Sequence, residues 1–182
     1  MERARYPHQR KRGQVKMTVQ ELTNDLLDSW DRQARIVASV AQLVTEETRK
    51  ALPSPDGWPL DKQLAHIHQV RRHWLSDFDP NRASKLGRTF TDGWDTPIDD
   101  LAAIKSHLNE SAAAVRVAVS DAIIHGSIGK GAYENPVLFL QHMVWHEGWH
   151  VGLILTGLRL AGKETTEDWE ESHIWGLWRT EE

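Results

Sequence analysis

Residues 145–150 read WHEGWH and place His146, Glu147 and His150 in the order H-E-x-x-H. On the zinc-binding helix of metalloproteases that order supplies two histidine ligands and a glutamate base. The setting decides whether the stretch belongs to a protease or to another kind of metal site. It follows Asn135-Pro136, a helix start signal, and lies in an apolar run that ends near Gly157 to Gly162. On a helix His142, His146 and His150, spaced i, i+4, i+8, drift by only about 80° and form one stripe. Phe139, Met143, Trp149, Leu153, Gly157 and Leu160 fall on or beside it, which predicts imidazoles that point into a packed interior. Each buried ring nitrogen needs a partner, and a divalent ion shared by His146 and His150 supplies one.

Working outward, every long element reads as helix. Thr18-Val19-Gln20-Glu21 has the spacing of a capping box, and Leu22, Leu26, Trp30, Val37, Val40, Ala41 and Val44 carry a helical stripe to about Thr48. Two prolines and a glycine in Leu52 to Gly57 stop it. A second helix is predicted from about Pro59 to Phe78, with Leu60, Leu64, Ile67, Trp74, Leu75 and Phe78 on its apolar face. Residues 79–95 have no period and read as a long connection. Thr96-Pro97-Ile98-Asp99 reads as the start of a third helix that runs to about His125. After a loop from Gly126 to Gly131 and the histidine-bearing fourth helix, a short amphipathic piece spans Thr166 to about Trp178. No strand-like alternation of useful length appears, so the expected fold is all-α: a four-helix bundle with one long connection and a short C-terminal helical segment.

The 182 residues suit one domain, residues 17–182, preceded by a basic arm, residues 1–16, that holds six Lys or Arg against Glu2 alone. The body is acidic, with 16 Lys and Arg against 25 Asp and Glu, which argues against nucleic acid as the main partner. The arm reads as a solvated, flexible tail or as a grip for anionic surfaces. No apolar run reaches the roughly 20 residues of a membrane span, and the first residues lack the apolar core of a secretory signal. With no cysteine, a metal must be held by His, Asp or Glu, and a reducing, cytoplasmic setting is expected.

Two ligands rarely suffice, and the second helix carries LAHIHQVRRHW with His66, His68 and His73. With Leu64 at zero the apolar centre lies near 310°, His68 at about 40°, His66 at about 200° and His73 at about 180°. Helical phase leans toward His68 but does not choose. Glu147 lies at the edge of the histidine arc, so it reads either as a base or as a solvated carboxylate. Arg71 falls in the apolar face, where it must pair with a carboxylate, snorkel out, or receive an anionic substrate group.

The pattern as a whole resembles the DinB family of four-helix-bundle metalloproteins, over nearly the entire domain from Met17 onward. The resemblance rests on Trp58 followed eight residues later by His66 in WPLDKQLAHI, and on H-x-x-x-H-x-G, here HEGWHVG. It implies one divalent ion, Zn or Ni, held by His66, His146 and His150 with coordination positions left open. It further implies a small-molecule substrate used with a low-molecular-weight thiol, in S-transfer or thiol-assisted isomerisation. Where family members often carry Arg and Gln around the glycine, this chain has Val151 and Leu153. His142 is then a core histidine or a hydrogen-bond partner near the metal.

A peptidase reading needs a third downstream ligand, for which Glu164, Glu167, Glu170 and Glu171 are the candidates, and an edge strand for the substrate. A hydrolase using activated water and a metal-binding bundle without catalysis stay open beside the thiol-dependent enzyme. HIWGLW, residues 173–178, is too apolar to stand alone, so it folds over the bundle or meets a second subunit, with a homodimer as the expected assembly.

Overall fold

The structure, a computed structural model, describes residues 17–126 and 131–179, with nothing said of the Phe78 side chain; the basic arm lies outside the described residues. Four long helices make the bundle. Helix α1, Val19–Leu43, starts on a complete capping box: the Thr18 hydroxyl accepts from the Glu21 amide, and the Glu21 carboxylate accepts from the Thr18 amide. Helix α2 spans Leu60–Phe78, and the four-residue α3, Pro80–Ala83, follows it directly. Helices α4, Leu101–His125, and α5, Pro136–Leu160, complete the set; Asp100 and Asn135 cap them through their side chains. The last turns, α6 at Glu167–Glu170 and a π-helical turn at Glu171–Trp175, start on the Thr166 hydroxyl. No described helix is long and apolar enough to cross a membrane.

Helix α4 packs between α1 and α2, and α5 closes the other side against both, so α1 and α2 lie diagonally across the bundle. Two apolar clusters fill the interior. One centres on Ile36, Val40, Leu64, Ile67, Ile104 and Ile154, the other on Leu27, Trp30, Val70, Val119, Phe139 and Met143. Between them along α1, α4 and α5 lie the buried polar residues Gln33, Ser111 and Glu147, and Arg71 of α2 joins them. Trp30, fully buried, ties α1 to α4 by donating its indole N–H to the Ala112 carbonyl at 2.9 Å.

Two expectations about element ends change. Helix α1 stops at Leu43 rather than near Thr48, because the Thr48 hydroxyl takes the Thr45 amide at 2.9 Å and offers the backbone an alternative to helix. Thr96 and Pro97 do not begin a helix. They form strand β2, Thr96–Pro97, which pairs antiparallel with β1, Phe90–Asp92. Asp92 accepts from both the amide and the hydroxyl of Thr96, at 2.7 and 3.0 Å, and Gly93 supplies the positive φ of the turn. The connection after α2 therefore holds a small hairpin, a sheet too short to show alternation in sequence. At the C-terminus Ile174 is buried against the bundle, whereas Trp175 and Trp178 stay exposed.

Candidate metal centre

Helix α2 contributes His66, and α5 contributes His146 and His150. One ring nitrogen of each lies within 4.8 Å of the other two, and the ring centroids are 4.5 to 5.1 Å apart. The i, i+4 spacing puts the α5 pair on adjacent turns of one face. The Nδ1–H of His150 donates to the Oε1 of Gln63, whose own amide donates to the Trp58 carbonyl at 3.3 Å. That bond leaves Nε2 of His150 as the bare, ligating nitrogen. It faces Nε2 of His146 at 3.1 Å, close to the roughly 3.3 Å that separates two nitrogens tetrahedrally bound to zinc. Nδ1 of His66 and Nδ1 of His146 are buried and have no hydrogen-bond partner. Three imidazoles with one nitrogen each within 4.8 Å of the others are a donor set that fits a divalent ion, and the unpartnered Nδ1 atoms show that ordinary hydrogen bonds do not account for the burial of His66 and His146.

Burial and neighbouring cations keep all three rings neutral. His146 is pushed down to about 3, first by burial and then by His150, His66, His142 and Arg71. His150 is pushed down to about 4 by burial and His66, and His66 is lowered by burial and then by Lys62. Neutral imidazole is the form that binds metal, so no proton has to leave at physiological pH.

The trio lines a cleft of about 480 Å³ whose other walls include Pro53, Trp58, Gln63, Trp149 and Leu153. Trp58 and Trp94 stand edge-on to His66, with centroids 5.1 and 5.4 Å away. Trp94 reaches this position from the β1–β2 turn, and Lys62 holds the hairpin to α2 through Asp95 at 2.8 Å. Neither Gln63 nor Trp94 was singled out in the sequence. Gln63 sits one helical turn before His66, a spacing that marks it as a neighbour of the site, whereas no pattern in residues 79–95 points to Trp94.

His68 is elsewhere. It is fully buried toward α4, with Nδ1 at 2.8 Å from the His107 carbonyl and Nε2 at 3.0 Å from that of Gly87. Helical phase misleads here because α2 is buried nearly all round, between α4, α5 and the hairpin, so its apolar centre does not mark the site. His142 is also outside the trio. It is exposed, and its Nδ1 shares a hydrogen bond with the Tyr133 hydroxyl at 2.6 Å. The inward line of α5 runs instead through Met143, Glu147, His150, Ile154 and Leu158, and Trp149 and Leu160 face outward.

Glu147 is neither a solvated carboxylate nor a base aimed at the cleft. It is fully buried and takes a bidentate pair from Arg71, Nε to Oε1 at 2.6 Å and Nη2 to Oε2 at 2.8 Å. Arg71 also donates to the Leu108 carbonyl at 2.7 Å and lies 5.1 Å from the Trp30 ring centroid. The charge on the apolar face of α2 is thus paired within the core. The downstream acids stay outside the histidine cluster: Glu164 pairs with Arg159, Glu171 pairs with Arg179, and Glu170 accepts from the Thr165 hydroxyl.

The sequence profile of the DinB family matches residues 17–176. No curated protein and no solved structure matches the chain.

Proposed function

The chain belongs to the DinB family, and from that premise we propose that it is a metal-dependent enzyme acting with a low-molecular-weight thiol. His66, His146 and His150 would hold one divalent ion, zinc or nickel, for S-transfer to an electrophile or thiol-assisted isomerisation. The observation that carries this reading is the convergence of three neutral imidazoles on the wall of an open cleft. An ion so held supplies Lewis acidity that lowers the pKa of a thiol brought to it.

The chain's own residues do the rest. His150 is oriented by Gln63, and His66 is held between Trp58 and Trp94, whose rings shield it from solvent. With no cysteine in the chain, the thiol has to arrive as a cosubstrate. The burial of Glu147 against Arg71 favours this reading over zincin-type hydrolysis, which needs that glutamate free to take a proton.

The test begins with metal content. The purified protein is expected to carry close to one zinc or nickel per chain by elemental analysis, and His66→Ala and His146→Ala to carry none. Metal-loaded protein should then accelerate thiol consumption by an electrophile such as an aryl epoxide, and chelator-stripped protein should not. Full metal content in either alanine variant would remove that residue from the site. Turnover that survives stripping would refute the metal-dependent mechanism.

A further inference from the structure

Around the three histidines the cleft is apolar and poor in charge. Trp58 and Trp149 both line it and both remain exposed, at 42% and 59%, and Pro53 and Leu153 complete the apolar wall. Large aromatic surface left open beside a metal-binding cluster is costly unless a ligand covers it. Among the described residues, Asp56 is the one fixed charge that lines the cleft, and it is negative. The nearby cation Lys62 lies 5.0 Å from the Trp58 ring centroid and is already engaged by Asp95 at 2.8 Å. The body of the protein is acidic as well. Apart from the ion itself, the described residues of the cleft wall offer no guanidinium or free ammonium to receive the carboxylates of an acidic ligand, and Asp56 repels them.

We infer that the cleft selects an uncharged ligand with an aromatic body and a single donor atom, its ring lying against Trp58 and Trp149 while the donor reaches the histidine cluster. This names the class of thiol or electrophile used by the proposed enzyme and rests on that reading. Pocket size agrees, because about 480 Å³ is ample for one ring and a short side chain. Specificity would come from contact with the two indoles and from the repulsion of anions by Asp56.

The test is calorimetric titration of the full chain, zinc-loaded and metal-free in parallel, with benzyl mercaptan, 2-mercaptoethanol and mercaptosuccinate. Benzyl mercaptan is expected to bind at least about tenfold tighter than 2-mercaptoethanol, the worth of about 1.4 kcal/mol of ring contact. In the metal-free arm, where no ion can be chelated, mercaptosuccinate should bind weakest, and Asp56→Asn should narrow its deficit. Trp58→Ala and Trp149→Ala should each lower the ratio of benzyl mercaptan to 2-mercaptoethanol affinity by about three- to tenfold. Trp175→Ala, which changes an exposed tryptophan outside the cleft wall, should not. Mercaptosuccinate binding the metal-free protein as tightly as benzyl mercaptan, or a ratio indifferent to both cleft tryptophans, would overturn the inference. Selectivity is judged within each arm, whereas thiol affinity that fails to rise on zinc loading would count against the metal reading instead.

Discussion

His66 and His68 lie two residues apart on α2 and end in opposite states. His68 is fully buried, and both of its ring nitrogens face backbone carbonyls, of His107 at 2.8 Å and Gly87 at 3.0 Å. His66 is only partly buried, yet its Nδ1 has no hydrogen-bond partner, and two tryptophans and two histidines surround its ring. Depth of burial therefore does not single out the histidine that could hold a metal. Convergence with other imidazoles and a ring nitrogen left without a partner do, since a fold leaves such an atom unpaired only at a cost of about 1–3 kcal/mol.

The most severe way to break this contrast is to remove each ring in turn. His66→Ala is expected to abolish stoichiometric metal binding with little change in the melting temperature of the metal-free protein, and His68→Ala to keep the metal and lower the metal-free melting temperature. Elemental analysis and a thermal melt on the two variants settle the matter. Metal lost from His68→Ala at full stability would reverse the assignment.

Helix α5 repeats the contrast between adjacent residues. His146 has a buried nitrogen without a partner, whereas its neighbour Glu147 has both oxygens on Arg71. Breaking that pair with Arg71→Ala leaves a buried carboxylate uncompensated and should cost about 3–5 kcal/mol in denaturant unfolding. Replacing both partners, Arg71→Met with Glu147→Leu, should bring stability back to near the parent value, because a buried ion pair seldom outperforms well-packed apolar groups. Metal content should remain at the parent level in the double variant. Its loss there would mean that Glu147 serves the site as well as the core.

Much of this was legible in the residues. The capping box at Thr18 and the cap at Asn135 mark helix starts by local chemistry, which tertiary packing did not override, whereas α1 ends at Leu43, well before the breaker at Leu52 to Gly57. The choice of His66 came from its distance to Trp58 within a family pattern, whereas helical phase leaned toward His68. Phase assumes that a helix has one buried side, and α2 is covered on most sides. It failed on α5 for the opposite reason. Trp149 and Leu160 are apolar and exposed, so they drew the apparent core direction away from Glu147. The hairpin that delivers Trp94 was invisible because one strand has three residues and the other two, too few to show a period.

A milder change tests how the satisfied part of the site supports the unsatisfied part. Gln63→Leu removes the acceptor that fixes the tautomer of His150 and should weaken metal affinity by about 10- to 100-fold. A competition titration with a chromophoric chelator reads this directly. Affinity within twofold of the parent would mean that packing alone orients the His150 ring.

The smallest effect separates two states of His68. A neutral imidazole has one N–H and can donate to only one of the two carbonyls, whereas a protonated ring donates to both. Burial outweighs the carbonyls and pushes the ring down to about 4 from the ordinary 6.5. The unfolded chain therefore takes up a proton near pH 6.5 that the folded chain refuses until about pH 4. Stability is fully present above pH 6.5 and declines as the pH falls through that window. His146 and His150, also depressed, act with the same sign in metal-free protein. Those rings are unchanged in His68→Gln, so the difference between parent and variant isolates His68. The variant should lose at most about one proton from the slope between pH 6.5 and 4, about 1.4 kcal/mol per pH unit, by urea unfolding of the metal-free proteins. A slope identical to the parent's would mean that the folded ring takes up its proton no later than the unfolded one, so that the two carbonyls offset its burial.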